Sequence, residues 1–322
     1  SNSFKISNRV SLDSNMAASR QHQVAPTQIS AVLGVSIPQP GLPISTIDGK
    51  PYAWGGIHTP NWQVELGGDN RLTVTSMSVN EVLKINILEG LDFQGTVGYS
   101  TNTAMRDEQY LSIDWYQYDG TLIRNENSPY PAQEKSSYMK SASRTDNCTA
   151  SAFLTYKKLL NEVHDLAVMG GVQYDYAAYD YSATKVMDVE SAIESLNGKG
   201  QVYIDKVDKW EEAILSYFGR FNYNYKSKYM AELNARYDGS SKFLPENRWN
   251  FFWGASAGWR ISEESFMEGI HDYVSELKLR ASYGEVGNQS GIVRYDGIQL
   301  YNYNSNSGAL LGTSKGTYVE SA

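Results

Sequence analysis

The sequence predicts an all-β protein: an antiparallel up-and-down transmembrane β-barrel, partial, with about nine or more strands and long extracellular loops. Three observations predict it. Apolar and polar residues alternate with period two in many segments, tyrosines stand at both ends of the apolar rows, and the connections alternate between short and long. Alternation with period two places successive side chains on opposite faces of a strand. The clearest case is YFGRFNYNYKSKYMAELNARYDG at 217–239. Its odd positions run Tyr217, Gly219, Phe221, Tyr223, Tyr225, then Tyr229, Ala231, Leu233, Ala235, Tyr237. Its even positions include Arg220, Asn222, Asn224, Glu232, Asn234, Arg236 and Asp238. A phenol ring is apolar and its hydroxyl polar, so tyrosine suits the lipid–water boundary at both rims of a greasy face.

In chain order the predicted strands are roughly 3–13, 72–87, 91–103, 149–159, 165–181, 211–225, 229–238, 249–261 and 275–285. The first is irregular, because Asn8 interrupts the row Phe4, Ile6, Val10, Leu12. The next pair carries Leu91, Phe93, Gly95, Val97 and Tyr99 on one face of its second member. Leu166, Val168, Gly170, Val172, Tyr174 and Tyr176 repeat the pattern, and so do Phe251, Trp253, Ala255, Ala257 and Trp259. Leu277, Leu279, Ala281 and Tyr283 close the series against Lys278, Arg280 and Ser282. A further hairpin is expected within 110–125. Most of these runs reach or pass the ~9–11 residues that cross a bilayer in a tilted barrel.

The connections at Leu88-Glu89-Gly90, near Asn161–His164 and at Lys226-Ser227-Lys228 are short. The segments 14–71, 104–148, 182–210 and, more modestly, 239–248 are long. A barrel in an outer membrane sorts its connections in this way, with short periplasmic turns and long extracellular loops. The connection 262–275 departs from the rule; SEESFMEGI reads there as a brief helix with Ser262 as N-cap.

Composition narrows the functional classes. The 322 residues carry a formal net charge of −8 and a pI near 5.1, which argues against nucleic acid as a partner. A single cysteine, Cys148, excludes an internal disulfide framework. No apolar run is long enough for a transmembrane helix. The mean hydropathy of −0.46 is compatible with membrane strands, which are apolar only at alternate positions. His22, His58, His164 and His271 show no metal-ligand spacing, so neither a metal nor another cofactor is expected. No nucleophile elbow, P-loop or H-E-x-x-H motif occurs, and Glu263 and Glu264, being adjacent, read as a solvated turn rather than an acid/base pair; no enzymatic activity is expected.

Three stretches carry a resemblance: RYDGSSKF at 236–243, NRWNFFWGASAGWRISEESF at 247–266 and SELKLRASYGEVGNQ at 275–289. In order and spacing they resemble the barrel of the SusC/RagA-type TonB-dependent transporters. IPQPGLPISTIDGKPY at 37–52 resembles the proline-rich loop of that family, and GLDFQGTVGYS at 90–100 one of its barrel strands. Trp253 stands where the family often has proline. The resemblance implies uptake of oligosaccharide or peptide, energised through the TonB–ExbB–ExbD complex, with a SusD-like surface lipoprotein as lid. It also implies an N-terminal plug domain, a TonB-contacting segment and a closing C-terminal strand. None of these is recognised within 1–322, so the chain is expected to be an internal segment of a barrel domain in an outer membrane of the Gram-negative type.

Candidate binding residues follow from this reading. Sugar rings stack on aromatic faces, and their hydroxyls need amides and carboxylates. Among the loop residues Trp54, Trp62 and Trp115 offer the first, and Asn61, Asp69, Asn70 and Asp114 the second. The same tryptophans can instead pack loops together or against the lid. On the lumen side Arg220, Asn222, Glu232, Arg236 and Arg280 are expected to face the plug or form a solvated wall. Two other functions fit parts of the pattern: a passive porin-like channel, and a soluble or surface-attached β-rich adhesion module.

Overall fold

The structure is a computed structural model. It describes residues 2–29, 43–54, 57–123, 136–189, 202–270, 273–289, 291–292 and 294–295, with short strand segments at 301–304, 310–311, 314–315 and 318–321. One ten-stranded antiparallel sheet dominates it. Its strands are β1 (Asn2–Lys5), β2 (Val10–Pro26), β5 (Asp69–Leu88), β6 (Leu91–Tyr110), β7 (Ser137–Leu160), β8 (His164–Met187), β9 (Val202–Tyr225), β10 (Tyr229–Ser240), β11 (Trp249–Arg260) and β12 (Lys278–Gly284). Each pairs with its sequence neighbours in simple up-and-down order. The intervening β3 (Ala53–Trp54) and β4 (Ile57–His58) form a separate ribbon within the first long loop, followed by the helix α1 (Pro60–Leu66). Among the described residues no helix is long and apolar enough to cross a membrane.

The register explains why the alternation is so regular. Tyr217 faces Tyr237, Phe221 faces Leu233, and Tyr229 faces Trp259. Directly paired residues share a face. Apolar rows therefore continue from strand to strand, with register shifts at Asn86/Leu88 and Ala183/Thr184. In β10 the odd residues are exposed and the even ones half-buried from Tyr229 to Asp238, the pattern of a curved sheet whose convex face is apolar.

The tight connections use left-handed backbone. Asn161 and Glu162, and likewise Lys226 and Ser227, have φ between 49° and 56°. Each pair is the centre of a β-turn, closed by Val163 N–H to Leu160 O and by Lys228 N–H to Tyr225 O, within a three-residue connection. Positive φ at both central positions matches the strand twist. Gly90 has φ 79°, and a Cβ there would run into the carbonyl oxygen of Lys157.

Several expectations are corrected. The run 3–13 is a hairpin, not a strand: Ile6 and Ser7 both donate backbone hydrogen bonds to Val10 O. Asn8 interrupts the apolar row because it lies in that turn. The strands also outrun the predicted limits, so the long connections shrink to 27–68, 111–136 and 188–201. β7, β8 and β9 have 24 residues each. At ~3.4 Å per residue that is about 80 Å, well beyond a bilayer. The overhang does not follow the membrane alternation: 202–209 of β9 are exposed on both faces, whereas Tyr138 of β7 and Ala183 and Val186 of β8 are buried. Among the described residues of 110–125, Tyr116 forms isolated bridges with Tyr52 and Leu122 in place of a full hairpin. The segment after β11 forms two 3-10 turns, Ile261–Glu263 and Ser265–Ile270; Ser262 sits inside the first, and its buried Oγ caps nothing. Pro38 and Pro40 of the proline-rich loop lie outside the described residues.

Candidate functional site

The convex face carries two aromatic rims. On the short-turn side His164, Tyr225, Tyr229 and Trp259 stand in one cross-strand row. The His164 and Tyr225 rings lie 4.9 Å apart, and Tyr225 and Tyr229 6.3 Å. On the opposite side Trp249 stacks against Tyr237 at 5.0 Å and Tyr217 at 6.0 Å. Gly239 makes this possible, since a Cβ there would enter the Trp249 indole. Between the rims the face shows Leu233, Phe221, Val168, Ala235 and Ala255. From Tyr229 to Tyr237 the strand climbs about 27 Å, or roughly 21 Å along the normal of a barrel tilted by ~40°, close to the ~25 Å apolar band of such barrels.

The concave face carries the predicted lumen residues in two groups. Arg220 and Arg236 line a cavity of about 510 Å³ together with Phe218, Asn234, Asp238 and Phe252. Arg236 is fixed there by Asp238 Oδ1 at 2.7 Å and Ser216 Oγ at 2.8 Å. Arg220 donates to Asn234 Oδ1 at 2.8 Å, and Asn234 in turn to Glu232 Oε1 at 2.8 Å. Asn222, Glu232 and Arg280 line a second cavity of about 260 Å³ with Asp165, Asn224 and Lys278. Arg280 donates to Ser256 Oγ at 3.4 Å. The wall thus carries both signs of charge, held in short hydrogen-bonded networks. Phe218 and Phe252 add two apolar rings to this wall, and no polar motif in the sequence marks them.

The loop candidates fall into a small fold above the barrel. Trp115 is 8% exposed, and His58 stacks on it at 4.5 Å. Burial pushes the His58 pKa down, which favours the neutral imidazole in this stack. Trp62 is half-buried and donates Nε1–H to Ile44 O at 2.9 Å. Asn61 is exposed on α1, and Asp114 is exposed beside Trp115. Asp69 pairs with Arg71 at 3.4 Å at the start of β5, and Asn70 donates to Glu108 at 3.4 Å. Trp54 pairs through its backbone with Ile57 in the β3–β4 ribbon. Trp62 and Trp115 thus belong to one folded loop unit, while Asp69 and Asn70 stand at the head of the strand below it.

Sequence reading undervalued Glu264. Its carboxylate accepts from Tyr229 Oη at 2.6 Å, Trp259 Nε1 at 3.0 Å and Lys228 Nζ at 3.4 Å. The hydrogen bond from Tyr229, then that from Trp259, holds its pKa below the usual glutamate value. Only a three-dimensional turn brings these donors together, so the adjacent pair Glu263-Glu264 gave no signal. Among the described residues no group of three or more His, Cys, Asp or Glu side chains is arranged to hold a metal ion.

A curved antiparallel sheet with an apolar convex face, two aromatic rims and a polar concave face defines a section of a membrane-spanning β-barrel. The comparisons give the family. Residues 49–314 match the model of the TonB dependent receptor-like β-barrel, and the chain belongs to this family. It is 26% identical over 95% of its length to TonB-dependent receptor P39 of Formosa agariphila, covering 28% of that protein. It is 42% identical to TonB-dependent receptor SusC of Bacteroides thetaiotaomicron over 77 residues, 24% of this chain and 8% of SusC. The solved structure of the RagAB peptide transporter matches 99% of this chain and 35% of its own at a TM-score of 0.74 and 18% identity, which shows a shared fold. The chain thus spans about a third or less of these relatives. The SusC/RagA-type resemblance and the all-β partial barrel both hold, with ten strands in an unclosed sheet among the described residues. These relatives are named receptors and transporters, not enzymes.

Proposed function

We propose that the chain is a wall section of an active nutrient transporter in an outer membrane of the Gram-negative type. The observation that carries this reading is the segregation of faces on β8 to β11, apolar and ring-bordered outside, polar and networked inside. The nutrient is a small oligomer, an oligosaccharide or a peptide. Arg220, Asn222, Glu232, Arg236 and Arg280 belong to the lumen wall, where they meet the plug or the passing solute. The loop fold around Trp62 and Trp115, with Trp54, Asn61 and Asp69, belongs to the extracellular mouth. A SusD-like lipoprotein covers that mouth, and the TonB–ExbB–ExbD complex supplies energy through the plug and TonB-contacting segments of the full-length protein.

The test is uptake of labelled oligosaccharide and peptide mixtures by cells expressing the full-length protein, with and without a proton ionophore. Active transport stops when the proton-motive force collapses. Uptake that continues unchanged identifies the passive porin-like alternative, and a full-length protein extractable without detergent identifies the soluble module.

A further inference from the structure

One cross-strand row on the convex face breaks its apolar character. Ser14 pairs with Glu81, Glu81 with Val97, Val97 with Ala150, and Ala150 with Tyr174. Register therefore puts a carboxylate on the face read here as lipid-facing. Glu81 stands about eight residues above the Glu89-Gly90 turn, roughly 20 Å up a barrel wall tilted by ~40°, inside the outer part of the ~25 Å apolar band. Ionisable groups at such positions are costly and are retained where they have a partner. Among the described residues Glu81 has one: Ser14, 8% exposed, whose Oγ donates to Oε1 at 2.7 Å. The carboxylate has two acceptor oxygens and room for more donors.

Directly below lies a groove of about 470 Å³ to which Glu81 itself contributes. Its floor is low because Gly95, Ala150 and Ala152 carry little or no side chain there. Phe93 and Leu83 wall one side, with the Phe93 ring leaning over Gly95; Val172 and Tyr174 wall the other. The shape suits an alkyl chain, and the carboxylate at its extracellular end suits a hydrogen-bond donor at the head of that chain. An ester-linked phospholipid presents only carbonyl acceptors at this depth, which the carboxylate repels. An N-acylated, hydroxyacylated lipid presents an amide N–H and a hydroxyl there. We infer that this groove is a binding site for one acyl chain of a lipid A-type molecule of the outer leaflet, with Glu81 accepting from its amide or hydroxyl. The inference rests on the reading of the convex face as lipid-facing.

The experiment uses the full-length protein in detergent, offered lipid A or phosphatidylethanolamine, with bound lipid counted by native mass spectrometry. The wild type should retain lipid A about tenfold better than phosphatidylethanolamine, the factor one charge-assisted hydrogen bond supplies. Glu81→Leu removes the acceptor from a lipid-facing position without opening the sheet and should bring lipid A down to the phosphatidylethanolamine level. Ala150→Phe fills the groove and should lower retention of lipid A. Equal retention of both lipids by the wild type, or lipid A retention unchanged in Glu81→Leu, overturns the site and leaves a general lipid annulus. Flotation of the wild type with phosphatidylethanolamine vesicles is scored separately: failure to float rejects the membrane reading itself, whereas flotation with no lipid A preference rejects only the site.

Discussion

Tyr229 and Glu264 are joined by a 2.6 Å hydrogen bond that ties the aromatic rim on the short-turn side to the turn following β11. Trp259 and Lys228 complete the same carboxylate's partners. Because the folded-state pKa of Glu264 is lowered, its stabilising contribution is fully present above the unfolded glutamate value and is lost as pH falls through the lower folded value. Glu264→Gln should therefore destabilise the full-length barrel at pH 7, and the difference from wild type should shrink below about pH 4. Denaturant unfolding in detergent at the two pH values reads this. A difference that grows in acid contradicts the assignment.

The turn between β9 and β10 places Lys226 and Ser227 at φ 49° and 56°. Left-handed backbone is unfavourable for residues with a Cβ and easy for glycine and asparagine. Replacing Lys226-Ser227 by Asn-Gly should stabilise the hairpin by about 1 kcal/mol. A fall in the denaturation midpoint would falsify the turn geometry.

Gly170 and Gly171 are adjacent in β8 yet should respond differently to alanine. At Gly171 a Cβ would meet Phe153 Cβ and, at 2.6 Å, Ala152 O. At Gly170 the nearest atom is Phe218 O at 3.9 Å. Gly171→Ala should cost about 1–3 kcal/mol through overpacking, and Gly170→Ala should stay within ~0.5 kcal/mol. Equal effects, measured by unfolding of the two variants, contradict the crowding at Phe153.

Much of this fold was legible because a membrane strand repeats one rule at every step. From Tyr217 to Tyr237 the alternation named both faces, both rims and the turn between them. It failed where the rule lapses. Ala17, Ala18, Ser19 and Arg20 of β2 lie within the strand beyond its apolar row, so no alternation marked them. Asn8 looked like a defect in a strand and is a turn residue. At the site, the polar face of β9 and β10 was legible, but its pairings were not: Arg220 reaches Asn234 across strands, and Glu264 gathers donors from three other positions. Register and turns decide such contacts, and one-dimensional spacing does not contain them.

The loops supply a topological prediction. The connections 27–68 and 111–136 leave the sheet on one side, and 226–228 on the other. Protease added to intact cells should cut within the first two and spare the lysine turn. Cleavage at 226–228 with the long loops protected would invert the orientation and remove the Trp62–Trp115 unit from the extracellular mouth.

The central claim is that the convex face meets lipid and the concave face meets water. Leu233 and Asn234 are neighbours in β10; Leu233 is 54% exposed on the first, and Asn234 bonds Arg220 and Glu232 on the second. The direct measurement places a spin label at each position in turn in the full-length protein, in bilayers, and compares relaxation by oxygen, which concentrates in lipid, with relaxation by a water-soluble nickel chelate. The label at 233 should respond to oxygen and hardly to the chelate, and the label at 234 should show the reverse. Equal accessibility to both reagents at the two positions would contradict the account.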